Sequence, residues 1–500
     1  MEKKRLGLLL VNPGDRRKVY QSLGDDLVAI EPPVWAGLMA TFVRCRGISV
    51  DILDANAEGL GPDETAERIE EMNPLLTAVV VYGHQPSAST QNMPAAGAVC
   101  KAIKAQELKC KVMLVGGHVA ALPEQTLREE EADFVCGGEG LHTLVELVES
   151  LKVSQQDYTK VSDLWYWDGK EVRSNPSAPI VQDLDQEMPG MAWDLLPMNR
   201  YRAHNWHCFG HLERKPYAAL YTTLGCPYHC SFCCIQAPFK SGEQVLGMKE
   251  SVNSYRFWSP EKVIDQIDIL VNKFGVRNIK IADEMFVLNP KHVSGICDLI
   301  IERGYDLNIW AYARVDTVRA NLVDKLKQAG VNWLAFGIEA ASARVRDDVE
   351  KGFGQNDIYR TLEKVREAGI NVGANYIFGL PEDDMDTMQE TLDMAIEINA
   401  EYANFYSTMA YPGSALYNVA LRDGWELPET WGGYSQHSFD TRPLPTKHLP
   451  ASEVLRFRDH AFQVYFNSPR YLDMVAGKFG PETAQHIRVM TEHELERKYT

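Results

Sequence analysis

The feature that most constrains this chain is an alternation, run twice, of short apolar stretches with longer amphipathic ones. In the first series the strand candidates are residues 6–11, 48–53, 77–82, 112–115 and 133–136, each followed by a helical pattern. Parallel strands need a crossover between them, and a helix supplies it, so this pattern predicts a doubly wound parallel sheet of Rossmann-like type. The second series has candidates at 218–224, 278–282, 307–313, 333–338, 371–378 and 403–409. Six such units suit an incomplete β/α barrel. One helix shows its start clearly: Ser259 caps, Pro260 takes the first helical position, and Val263, Ile267, Leu270, Val271 and Phe274 share a face before Gly275.

The expected class is therefore α/β, with a Rossmann-like domain over 1–150, a linker with a small β element over 151–216, a partial barrel over 217–425 and a mostly helical extension over 426–500. Within the linker, Asp168-Gly169 favours a hairpin, and Pro176, Pro179, Pro189 and Pro197 break any long helix. After Tyr411, the group Trp431, Tyr434, His437 and Phe439 has two readings: a cap over the barrel mouth, or packing for a terminal helix.

A formal net charge of -18 and a pI near 5.2 argue against wrapping nucleic acid or lying on anionic lipid. The amino terminus imitates a secretory leader, but its apolar run over 6–11 is short and ends in Asn12-Pro13-Gly14, so a first strand is expected. No apolar stretch approaches the ~18 residues that span a bilayer. A cytoplasmic enzyme is expected.

The ten cysteines are not spaced as a disulfide framework, because four crowd between Cys226 and Cys234 while Cys45, Cys100, Cys110, Cys136, Cys208 and Cys297 are scattered. Cys226, Cys230 and Cys233 have the spacing Cys-x3-Cys-x2-Cys at the end of the first barrel strand. Three thiolates on one loop bind three irons of a cubane and leave the fourth iron open to chelate a small molecule through amino and carboxylate groups. The competing readings are a structural cluster and a zinc site completed by His207, Cys208, His211 or His229. Zinc sites usually pair two short spacings, and no second Cys-x2-Cys exists; Cys234 is not expected to be a ligand.

These residues resemble the radical S-adenosylmethionine superfamily, whose motif is Cys-x3-Cys-x-aromatic-Cys, with Phe232 in the aromatic place. The resemblance implies a [4Fe-4S] cluster that reduces S-adenosylmethionine and releases a 5′-deoxyadenosyl radical. The stretch from Asn375 to Glu382 resembles the family's Gly-x-Ile-x-Gly-x-x-Glu motif, with Asn375 replacing its first glycine, and this assigns Ile377, Gly379 and Glu382 to the adenine side. By the same resemblance Asp283 and Glu284 would meet the methionine amine and Glu339 the ribose, while Arg314 is placed to meet a carboxylate.

The first half resembles the cobalamin-binding domain that precedes such barrels in one large subfamily, through Asn12-Pro13, Pro32-Pro33, VGGHVAALPE at 115–124 and ADFVCGGEG at 132–140. It implies that Asn12, Pro13, Gly116, Gly117, Gly138, Glu139 and Gly140 surround cobalamin, in the crevice beyond the carboxyl ends of the strands. The Asp-x-His-x-x-Gly cobalt signature is absent, since none of the thirteen histidines has Asp two places before it. Either the cobalt lacks that histidine or the domain has lost the cofactor; His84 and His118 are the remaining nearby candidates.

The resemblance implies a cobalamin-dependent radical enzyme that methylates an unactivated carbon of a small molecule. In such enzymes one S-adenosylmethionine supplies cobalt with a methyl group and a second yields the radical that opens the substrate to it. A cyclase, oxidase or rearrangement enzyme with the same cofactors is the alternative, and an iron-sulfur or cobalamin sensor is a non-enzymatic one. An external flavodoxin- or ferredoxin-like reductant is expected; a nucleic-acid partner is not.

Overall fold

The computed structural model describes residues 5–14, 21, 28–83, 85–210 and 212–500. Its first sheet has the order β2-β1-β3-β4-β5-β6-β7, built from β1 (Leu6–Asn12), β2 (Val50–Asp54), β3 (Pro74–Val81), β4 (Lys111–Gly116), β5 (Phe134–Cys136), β6 (Leu164–Asp168) and β7 (Glu171–Ser174). The first five strands are parallel. Strand β1 is apolar along its length because both faces are covered: Leu8 and Leu10 join the core under the helix Val34–Arg44, and Leu9 and Val11 the core under Ala88–Ala105. The order reverses between β1 and β3, and a crevice opens at their carboxyl ends. The hairpin expected at Asp168-Gly169 forms, but it extends the first sheet, with β6 antiparallel to β5.

The second sheet has the order β15-β14-β13-β12-β11-β8, all parallel. Its strands are β8 (Tyr217–Leu220), β11 (Asn278–Ile281), β12 (Asn308–Ala313), β13 (Val331–Glu339), β14 (Asn371–Phe378) and β15 (Tyr402–Ser407). The helix Pro260–Phe274 between β8 and β11 starts as expected, with the Ser259 hydroxyl accepting from Lys262 N–H and Gly275 left-handed at its end.

The single strand expected over 218–224 is corrected. It breaks after Leu220, and β9 (Thr223–Gly225) pairs antiparallel with β10 (Tyr255–Phe257) as a separate ribbon. The cause is Asp283, whose carboxylate accepts from the Thr222 N–H at 2.6 Å and from the hydroxyls of Thr222 and Thr223, pulling the chain out of the sheet.

The carboxyl-terminal segment covers the open edge at β15, which would otherwise expose unpaired backbone. The Gln436 amide accepts from Ser407 N–H at 2.9 Å and donates to Ser407 O at 2.8 Å, and Arg458 donates to Phe405 O. Trp431 reaches further, setting its ring against His118 of the first unit at 4.4 Å. The aromatic stretch therefore joins the two units. Among the described residues no helix is long and apolar enough to cross a membrane.

Candidate functional site

The ribbon β9–β10 presents the cysteine loop. Gly225 enters it with φ 86°, and a Cβ there would lie 2.3 Å from Ser254 O, so only glycine makes this turn. Cys226 is buried and Cys230 and Cys233 are half-buried, and the Cys233 N–H donates to Cys230 O at 3.0 Å, closing a tight turn. All three are free thiols. One sulfur faces a side-chain N–H donor: the Arg314 guanidinium lies 3.7 Å from Cys230. Such a donor favours the thiolate that iron binds.

Among the described residues no three His, Cys, Asp or Glu side chains gather around one point as a single metal ion needs. A zinc ion would sit about 2.3 Å from every sulfur, whereas a cubane distributes its thiolates over separate irons. The zinc alternatives are also placed elsewhere: His207 bonds Asn308 O at the start of β12, Cys208 contacts Glu213 O, and His229 is exposed. His211 lies outside the described residues. The donor set fits an iron-sulfur cluster.

The strand-end charges divide sharply. Glu284, after β11, lines a cavity between the two units and has no hydrogen-bond partner among the described residues; burial pushes its carboxyl up to about 8, with Lys280 pulling the other way. Asp283 is turned inward, its carboxylate taken by Thr222 and Thr223, so the expectation that it meets a ligand amine is corrected. Burial outweighs those bonds and raises it to about 6. Glu339 has φ 66° and is ion-paired to buried Lys351. Glu382 is a surface group held by Arg344 at 2.9 Å and by Lys447, a second correction. Ile377 and Phe232 both pack against the buried cluster of Ala340, Val345, Val349 and Leu380. Gly379 has φ 79°, and a Cβ there would lie 2.3 Å from Val454, so the helix Ala451–Phe466 requires it.

The cavity joins both units, with Trp35, Tyr82 and Gly117 on one side and Tyr221, Cys234 and Glu284 on the other. The rings of Trp35 and Tyr82 stack at 4.4 Å, and both also line the crevice that holds Asn12 and Pro13. A Cβ on Gly117 would be 3.6 Å from Ser89, in ordinary contact. A stacked aromatic pair, a glycine facing the cavity and a crevice at the switch point fit a large planar cofactor such as a corrin.

Other glycines are required by the protein's own packing. Added Cβ atoms would strike Val81 O at 2.1 Å from Gly116, Asp163 at 2.7 Å from Gly138 and Val115 at 2.5 Å from Gly140. Glu139 is committed to Arg256 at 2.8 Å and to Val181 N–H at 3.0 Å. His118 is buried and bonded to Thr90, burial lowers its pKa to about 3, and its ring packs edge-on against Trp431. His84 lies outside the described residues.

Sequence reasoning missed Trp35, Tyr82, Arg256, Asp316 and Lys351. None belongs to a motif, and only the fold brings Trp35 and Tyr82 to the cavity, Asp316 and Lys351 to the neighbourhood of the cysteine loop, and Arg256 to Glu139.

The Radical SAM superfamily model matches residues 220–395 and the B12 binding domain model residues 21–148. The chain is 27% identical over 470 residues to the uncharacterized methyltransferase PH0819 of Pyrococcus horikoshii, covering 94% of each. It is 27% identical over 444 residues to the anaerobic magnesium-protoporphyrin IX monomethyl ester cyclase of Cereibacter sphaeroides, covering 87% of this chain and 67% of that one. Its fold is similar to that of the cobalamin-dependent S-adenosylmethionine radical enzyme OxsB, with TM-score 0.70 and 15% identity over 98% of this chain and 72% of that one. The cofactors are a [4Fe-4S] cluster, S-adenosylmethionine and cobalamin. With a cysteine loop that fits the cluster and a glycine-walled cavity facing it, this chain carries a radical SAM superfamily domain over 220–395, preceded by a B12-binding domain over 21–148.

Proposed function

We propose that this enzyme is a cobalamin-dependent radical C-methyltransferase acting on an unactivated carbon of a small-molecule substrate. The observation that carries the reading is the single cavity shared by the cysteine loop's Cys234, the Glu284 carboxylate and the cobalamin unit's Gly117 and Trp35–Tyr82 wall. The end-to-end likeness to the Pyrococcus horikoshii methyltransferase supports it. When bound, the cluster supplies the electron that cleaves S-adenosylmethionine, and cobalamin carries the methyl group. The protein's part is positioning and exclusion of water. Cys226, Cys230 and Cys233 hold the cluster, Glu284 accepts from the ammonium of S-adenosylmethionine, Glu339 with Lys351 and Ile377 border the nucleoside, and Asn12, Pro13 and Gly117 line the cobalamin side. A flavodoxin- or ferredoxin-class protein delivers the electron, and the ten free thiols suit a reducing cytoplasm.

The likeness to the cyclase of Cereibacter sphaeroides favours a second reading with the same cofactors and no methyl transfer. Anaerobic reconstitution with iron, sulfide and cobalamin, followed by mass spectrometry of the S-adenosylmethionine products, separates them. Methyl transfer gives S-adenosylhomocysteine together with 5′-deoxyadenosine, whereas 5′-deoxyadenosine alone overturns the methyltransferase reading. Replacing Cys226, Cys230 and Cys233 by alanine must abolish both.

A further inference from the structure

The three cluster cysteines are not in equivalent surroundings. Among the described residues only Cys230 of the three has a side-chain N–H donor. Cys230 faces Arg314 Nη1 at 3.7 Å. That guanidinium is 6% exposed and cannot swing away: its other edge is clamped by Asp316, Nε to Oδ1 at 3.0 Å and Nη2 to Oδ2 at 3.1 Å, and its face lies 4.0 Å over the Tyr228 ring. Lys351 stands nearby over Phe232, held by Glu339, so both ion pairs beside the loop include a buried cation. Asp316 is about one-third exposed, so water screens the anion more than the cation it holds.

We propose that Arg314 is a positioning residue that sets the reduction potential of the cluster through Cys230, with Asp316 setting its strength. The inference rests on the cluster assignment made above. The step concerned is the addition of one electron, from a flavodoxin- or ferredoxin-class donor, that takes the cluster from the 2+ to the 1+ state; no bond forms or breaks in it. A charge-assisted N–H···S bond and a fixed positive charge both favour the more negative, reduced state. Arg314 was expected to meet a ligand carboxylate; its Nη1 is instead directed at a ligand sulfur.

The test is an anaerobic redox titration of the reconstituted full chain, followed by electron paramagnetic resonance of the reduced cluster, with iron and sulfide content measured for each variant. A wild-type chain that binds no cluster would refute the cluster assignment itself, separately from this inference. Arg314→Gln should lower the ratio of reduced to oxidised cluster at a fixed potential about tenfold, a shift of about 59 mV for a one-electron couple. Arg314→Lys should restore part of the shift. Asp316→Asn should move the potential the opposite way, because it frees the guanidinium's charge. Unchanged potentials at unchanged iron content overturn the proposal. If Arg314→Gln fails to assemble a cluster, Asp316→Asn decides alone, and no rise in its potential is equally fatal.

Discussion

Glu139 and Arg256 form an ion pair of 2.8 Å between the two β/α units, with side chains 6% and 8% exposed. Glu139 belongs to the last glycine turn of the cobalamin unit, and Arg256 lies on β10, in the ribbon that presents the cysteine loop. Arg256 also donates to Val181 O and lies over the Phe239 ring at 4.9 Å. Removing one member of a buried pair strands the other charge, at a cost of about 3–5 kcal/mol. Glu139→Ala should therefore lower stability by that order in denaturant unfolding. The double variant Glu139→Leu with Arg256→Met, which removes both charges, should recover most of it.

Two adjacent glycines should behave oppositely. Gly116→Ala sets a Cβ 2.1 Å from Val81 O and should destabilise the first sheet, whereas Gly117→Ala meets only Ser89 at 3.6 Å and should fold normally. Gly117→Leu, which projects into the cavity, should lower cobalamin retained per chain, read from its visible absorbance, with an unchanged circular dichroism spectrum.

Cys234 lines the shared cavity and is not one of the three cysteines proposed to hold the cluster. Cys234→Ser should leave the iron and sulfide content of the reconstituted protein at the wild-type level. A loss of one iron or more per chain would mean that the ligand set has been misassigned.

Asp54 is fully buried and accepts from Asn12 Nδ2, Ala57 N–H and the Tyr201 hydroxyl, yet burial outweighs these bonds and pushes its carboxyl from 3.8 up to about 6. The folded value lies above the unfolded one, so its contribution is present in full below pH 3.8 and lost as pH rises through 6. A separation of about two units corresponds to about 3 kcal/mol. Between pH 4 and 6, Asp54→Asn should gain stability relative to wild type by up to this amount, measured by unfolding the two proteins in parallel.

Gly379 combines φ 79° with a Cβ position 2.3 Å from Val454. Gly379→Ala should destabilise by a few kcal/mol. Adding Val454→Ala should recover the steric part and leave the conformational part, seen as partial recovery of the melting temperature.

By itself the sequence determined the two β/α series, the six barrel units, the helix start at Ser259 and the Cys-x3-Cys-x2-Cys spacing of the three cysteines. These are local: a strand or helix is encoded by periodicity over a few residues, and ligand spacing on one loop is fixed by chain length. Only the tertiary structure decided which polar groups are free. Asp283 and Glu284 are neighbours in sequence, yet one is consumed by Thr222 and Thr223 while the other faces the cavity. Glycines read as a ligand cradle at Gly138 and Gly140 are also needed where Asp163 and Val115 pack against them. Arg314, Asp316 and Lys351 meet the cysteine loop from far along the chain, Arg314 standing 84 residues beyond Cys230, which no spacing rule links. A side chain's role depends on the partners that compete for its hydrogen bonds and charge, and those partners are assembled only when distant segments pack.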